Sequence, residues 1–196
     1  MNKSEKINYL NRVAKDSALL RQSTVERLGP DILETADIIS GVIGSGGKVM
    51  LVGNGGLATA ASHLAGELIV RLRAERNRQA LPAVALCVDP AVMTAAANDY
   101  GYENVFSRQI EGLGRKGDML MVLSVSGESA NIVKAVQTAR ELGIITCAIL
   151  GGNGGRVAGM VERSLVIPET SPLRVQEELI FLIHLLVEMI ESDLFA

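Results

Sequence analysis

Apolar residues in the first 44 positions recur at helical spacing, through Ile7, Leu10, Val13 and Leu20 and again through Ile32, Ala36, Ile39 and Ile43, with Gly29-Pro30 between the two sets. Spacings of this kind gather side chains on one helix face, and a glycine–proline pair ordinarily ends a helix, so the pattern predicts two helices. After "GSGGK" the period changes. Short runs that are apolar at nearly every position alternate with helical stretches: "KVMLVG" then 57–73, "AVALCV" then 90–97 and 103–112, "DMLMVLS" then 129–141, "IITCAIL" then 154–161, and "SLVIP" then 172–192. A strand that is apolar on both faces needs cover on both faces, which is the condition of a parallel sheet whose crossovers are helices. The expected fold class is therefore α/β: a three-layer, doubly wound, five-stranded parallel sheet with an N-terminal helical lead-in. The 196 residues suit one domain, 1–196, with 1–46 as the lead-in and 47–196 as the sheet core and C-terminal helix. Ligands of such sheets bind outside the carboxyl ends of the strands. Two loops are thereby singled out, Gly53–Gly56 and Ser124–Ser129.

Composition narrows the ligand. A net charge of -3, from 19 basic and 22 acidic residues, gives no expectation of a nucleic-acid partner, so any anion must be held locally. The densest charge cluster, "RLRAERNR" at 71–78, reads as a solvated helix end and loop. The amino terminus is polar and periodic, and the apolar runs elsewhere are too short to span a bilayer, so no membrane association is expected. Cys87 and Cys147 lie in apolar strand-like runs without metal-ligand spacing, which suits buried free thiols in a cytoplasmic protein.

"GNGG" by itself specifies little. It lacks the third glycine of a dinucleotide fingerprint and the Gly-Lys-Ser/Thr of a P-loop, and a tight strand-to-helix turn explains it. "LSVSGESAN" is more specific, because Ser124, Ser126 and Ser129 surround Gly127 at the end of a strand and before a helix whose free N–H groups favour an anion. Ordinary helix capping accounts for one of these serines and leaves two unexplained. His63 and Glu67 stand four apart on the helix after the glycine turn and project about 40° apart from one face. A partly buried histidine and a solvated carboxylate explain them equally well. The second histidine, His184, lies within the apolar helix "EELIFLIHLLVEMI", where a polar ring needs a partner.

The "GNGG" turn, the "SxSGxSxN" loop, "NDYGYENVFSRQ" between them and "RVQEELIFLIHLL" near the end together resemble the sugar isomerase (SIS) fold, and within it the phosphoheptose isomerases, which act on sedoheptulose 7-phosphate. The resemblance covers nearly the whole chain. It implies that Ser124, Ser126 and Ser129, with Asn54, Gly55 and Gly56, hold the phosphate of an open-chain sugar. It also implies that Glu67 and His184 are catalytic, that Gln176 lies near His184, and that Arg71 and Asp99 contact substrate. Helical geometry alone would favour Glu177 over Gln176 for the His184 face. Aldose–ketose isomerisation needs a base to move a proton between C1 and C2 and an acid at the oxygens, which suits a carboxylate and a histidine. By the same resemblance, His63, Glu67, Gln176 and His184 form a zinc site, an acceptable nitrogen and oxygen set. A zinc-bound carboxylate is a poor base, so either the metal polarises substrate oxygens or one ligand leaves during turnover. The apolar lead-in helices and last helix further suggest a homotetramer with sites at subunit interfaces. The product would be a precursor of lipopolysaccharide or another surface glycan. The alternative is a non-catalytic SIS protein that binds a replication initiator or senses a phosphosugar, which would not need Glu67 and His184.

Four positions depart from the family's pattern. Leu57 replaces a serine, Ala60 an aspartate, Val125 a threonine and Glu128 a small or neutral polar residue. Each removes or opposes a polar contact. Weak phosphate binding is expected from Leu57, and the Glu128 side chain is expected to face solvent or a neighbouring subunit.

Overall fold

The computed structural model describes residues 1–195 and contains five strands in one parallel sheet, so the expected fold class holds. In chain order the elements are α1 (Lys3–Gly44), β1 (Val49–Gly53), α2 (Gly56–Ile69), β2 (Ala83–Ala85), α3 (Pro90–Tyr100), a 3-10 turn (Tyr102–Asn104) and α4 (Ser107–Leu113). They continue with β3 (Met119–Ser124), α5 (Ala130–Glu141), β4 (Ile145–Gly151), α6 (Gly155–Ala158), β5 (Arg163–Ile167) and α7 (Pro172–Phe195). Ala196 lies outside the described residues.

Strand order is β2-β1-β3-β4-β5, so the chain winds to one side of β1 and then crosses to the other. The switch falls between β1 and β3, whose ends lie level in the pairing of Gly53 with Leu123. Both candidate loops therefore open into one crevice. Alternation along the strands divides the core. Leu51, Met121 and Ile149 face α1, α2 and α7, while Met50, Val52 and Leu120 face Phe106, Ile110 and the inner side of α5. Burial of each such side chain contributes roughly 1.5–3 kcal/mol, which is why runs apolar at every position settle here.

The lead-in differs from expectation, because α1 is one helix of 42 residues with Pro30 inside it. Proline removes one N–H, and the carbonyl that loses its donor belongs to exposed Glu26, where water can replace it. Burial of Thr24 before the proline and of Ile32, Ala36 and Ile39 after it holds both halves against the rest of the chain. Three other expectations are trimmed. Helix α2 ends at Ile69, short of Arg71; strand β2 stops before Cys87; and the helix expected over 154–161 shrinks to Gly155–Ala158. Both thiols are free, and burial pushes Cys147 up to about 12 and raises Cys87, so neither is activated. Among the described residues no helix is long and apolar enough to cross a membrane.

At the opposite end of the sheet from the crevice, Asp118 is 5% exposed and ties β3 to the start of β1. Its carboxylate accepts from the Lys48 and Arg115 amides at 3.0 and 2.8 Å and from the Lys48 ammonium. Burial opposes the charge, but these bonds together outweigh it and hold the carboxyl below its ordinary range. A folded pKa below the unfolded one gives stability that is present above the unfolded value, near about 4, and lost as pH falls through the folded value. Asp118→Asn is expected to cost about 1–3 kcal/mol at neutral pH, with a deficit that narrows in acid. Melting curves of both proteins across that pH range check it, and a deficit independent of pH would contradict it.

Candidate active site

The first loop is shaped by close packing. A Cβ on Gly53 would stand 2.5 Å from the Leu57 carbonyl oxygen, so α2 begins directly over the end of β1. Gly55 takes φ +57°, a left-handed value that favours glycine, and turns the chain into the helix. Between them Asn54 forms a reciprocal amide pair with Asn131, donating at 3.0 Å and accepting at 2.8 Å. The Tyr102 hydroxyl donates to the same Asn54 oxygen at 3.2 Å. Asn131 is buried in the first turn of α5, and this pair locks the loop after β1 to the loop after β3. Asn131 was not among the expected site residues, although "SxSGxSxN" ends on it.

The serine loop lines a cleft with Asn54, Leu57, Pro172 and Gln176. Ser124 is buried, and its Oγ accepts from the Gly127 amide at 3.1 Å. The Ser126 hydroxyl is exposed and accepts from the Glu128 amide at 3.2 Å. Ser129 occupies the N-cap of α5 but makes no side-chain cap bond, so capping does not account for it. All three hydroxyls thus remain able to donate beside the amino end of α5, where the helix dipole favours an anion. Among the described residues, neither lysine nor arginine lines this cleft. Glu128 turns away from it, as expected, into solvent and an ion pair with Arg156 at 2.8 Å. Its other oxygen accepts from the Arg156 amide at 2.7 Å.

A second cleft, lined by Gly56, Thr59, Ala60, His63, Ile180 and His184, lies alongside. His63 comes from α2 and His184 from α7, and their Nε2 atoms are 2.9 Å apart. Glu67 Oε1 stands 3.7 Å from His63 Nδ1, with the carboxylate 19% exposed. One ligand atom from each of His63, Glu67 and His184 lies within 4.8 Å of the others, close enough to share one ion. Two imidazoles and a carboxylate fit zinc. Gln176 stands where the two clefts meet, since its Oε1 would be 2.7 Å from a Cβ on Gly56. Glu177, the residue that ideal geometry favours, is instead half-exposed and paired with Arg174.

The remaining expected residues sit apart. Arg71 is exposed in the loop after α2, and Asp99 is exposed on α3, where it accepts from Asn98 at 2.8 Å; neither lines either cleft. The "RLRAERNR" cluster is not wholly solvated, because the Arg78 side chain is buried.

Comparison with known proteins follows the same lines. The SIS domain pattern matches residues 12–151. The chain is 48% identical to the phosphoheptose isomerase of Chlorobaculum parvum over 177 residues, which cover 90% of this chain and 85% of that one. The phosphoheptose isomerase structure from Neisseria gonorrhoeae superposes with a TM-score of 0.88 at 34% identity, covering 94% of this chain and 98% of that one. The one from Francisella tularensis gives 0.88 at 31%, covering 98% of this chain and all (100%) of that one.

Leu57 both packs and lines. It is 5% exposed within the core beneath α2, yet it borders the serine cleft. Leu57→Ser is therefore expected to destabilise the fold by about 2–4 kcal/mol, as for a truncated core leucine. It should also lower the KM for a phosphorylated sugar with kcat nearly unchanged, because binding shared by ground and transition states is added. Melting and steady-state kinetics read the two effects separately, and an unchanged KM would confine Leu57 to packing.

Proposed function

The chain belongs to the phosphoheptose isomerases of the SIS-domain family, and we propose that it interconverts sedoheptulose 7-phosphate and D-glycero-D-manno-heptose 7-phosphate by proton transfer between C1 and C2 through an enediol. The observation that carries the assignment is the convergence of Glu67 and His184, from two different helices, on His63, which with His184 lines the cleft adjoining the serine loop. Glu67 is the base. Its oxygen stands 3.7 Å from His63 Nδ1, beyond hydrogen-bond reach, so that imidazole does not hold the carboxylate. His184 is the acid at the sugar oxygens. Ser124, Ser126 and Ser129 bind the phosphate together with the amino end of α5 and the Asn54–Gly56 turn, and Gln176 orients the sugar between the clefts. His63, Glu67 and His184, with Gln176 nearby, are the residues that would hold zinc; bound there, zinc would polarise the sugar's oxygens, and Glu67 would act as base only while it is not a ligand. A phosphosugar sensor or a binding protein for a replication initiator would have no use for the acid and base.

The product supplies heptose for lipopolysaccharide or another surface glycan, and a cytoplasmic location, which keeps both thiols reduced, fits this reading. Glu67→Gln is expected to lower kcat by about 10²–10⁴-fold with KM little changed. With metal content measured in parallel, chelation should lower turnover and zinc should restore it. Retained turnover in Glu67→Gln would remove the base assignment, and chelation without effect would remove the metal.

The working form is a homotetramer with sites at subunit interfaces. The first turns of α1 leave Ile7, Leu10 and Leu19 exposed, and an apolar groove between α1 and α7 runs along Val25, Ile32, Leu33, Leu185 and Met189. Arg71 and Asp99, outside both clefts in their own chain, are suited to complete a neighbour's site. Light scattering is expected to give four times the chain mass of 20.8 kDa; a monomer at micromolar concentration would exclude shared sites.

A further inference from the structure

The carboxyl end of α2, one turn or less beyond Glu67, is fastened by a single buried guanidinium. The Arg78 side chain is 1% exposed and that of Glu191, its partner on α7, 3%. Arg78 donates from Nε to Glu191 Oε1 at 2.7 Å, from Nη2 to the Glu67 carbonyl at 2.7 Å, and from Nη1 to the Leu68 and Gln79 carbonyls at 2.8 and 2.9 Å. The last carbonyls of a helix have no partners within it and form the negative end of its dipole, so a cation with a planar fork of donors suits this position. Glu191 is itself tied down, accepting from the Leu72 amide at 3.4 Å and, through its carbonyl, from Arg76 at 2.6 Å. It lies seven residues after His184, two turns further along nearly the same face of α7.

A buried ion pair is weak grounds for stability, since desolvation offsets much of the attraction and apolar side chains often serve as well. An apolar pair, however, would leave the Glu67 carbonyl unbonded and the Leu68 carbonyl with the Leu81 amide alone, at 3.1 Å, and would remove the polar tie between α2 and α7. We propose that Arg78 is a positioning residue for Glu67: anchored by Glu191, it holds the helix turn that carries the base at a fixed spacing from His184. This rests on the assignment of Glu67 and His184 given above.

Arg78→Lys tests it, because lysine keeps the charge opposite Glu191 but lacks the fork that reaches both carbonyls. The expected result is a kcat lower by about 10–100-fold and a zinc affinity, read by competition with a chelator, weakened over a similar range. The KM for sedoheptulose 7-phosphate should stay near wild type, because the serine cleft is untouched. Asp118→Asn supplies the control for destabilisation alone, and its kcat should remain at the wild-type level. The double variant Arg78→Met/Glu191→Leu removes the cap while filling the space with apolar atoms, and it should show the same loss of kcat in a folded protein. Wild-type kcat and zinc affinity in whichever of the two Arg78 variants folds would overturn the proposal, as would an equal loss of kcat in Asp118→Asn. Failure of the underlying assignment looks different: it appears as turnover retained by Glu67→Gln, whatever the Arg78 variants do.

Discussion

Two close approaches at glycines shape the crevice: the Leu57 backbone of α2 over Gly53 at the end of β1, and the Gln176 side chain of α7 over Gly56 in α2. A Cβ at either position would meet an oxygen at 2.5 Å from Leu57 or 2.7 Å from Gln176. With the first approach, α2 starts inside the crevice at the switch point, so the residues two and three turns along it, His63 and Glu67, stay near the strand ends. With the second, the Gln176 side chain reaches the junction of the clefts, on the same helix that brings His184 to His63. The sheet supplies the platform, but these two contacts convert a general ligand-binding position into a particular set of side chains.

Charge is handled sparingly in the crevice. A phosphate bound there, as proposed, would meet hydroxyls, backbone amides and a helix terminus rather than a lysine, and such fixed neutral donors need no counter-charge elsewhere. Glu128, which would repel a phosphate, is neutralised by Arg156 and half-exposed, so its field is screened at the cleft. The pair also fastens the serine loop to the glycine-rich turn before α6, where a Cβ on Gly127 would overlap the Gly154 carbonyl. Leu57 and Ala60 make a comparable exchange on α2: both are buried among Ala61, Leu64 and Val175, trading polar contacts at the cleft's edge for packing beneath it.

What the sequence disclosed, and what it did not, divides by the range of the forces involved. Strands apolar at every position, the two loops and the single face shared by His63 and Glu67 are local patterns, and they were legible. Pro30 misled because the hydrogen bond it removes lies at an exposed residue, and the burial of α1 on both sides of the proline outweighs that bond and the clash of its ring with the preceding turn. Arg78 resembled its solvated neighbours in "RLRAERNR", and only the return of α7 supplies the carboxylate that lets it be buried. Asn131 and Gln176 are likewise defined by partners far away in sequence, Asn54 and Gly56. No periodicity within their own helices marks them.

The contact between the two histidines carries a constraint of its own. At 2.9 Å, the facing Nε2 atoms have room for one proton between them or for none, never for two. If His184 donates across this contact, His63 accepts at Nε2 and its own proton sits on Nδ1, the side on which Glu67 stands at 3.7 Å. If neither nitrogen carries a proton, two lone pairs face each other, an arrangement that a cation between the rings stabilises and water does not. If His63 donates instead, its Nδ1 carries no proton toward Glu67, so in each case the tautomer of His63 is tied to that of His184. The proposed acid and base thus form one coupled unit, spanning α2 and α7, and its parts keep their relation only as long as the two helices keep theirs.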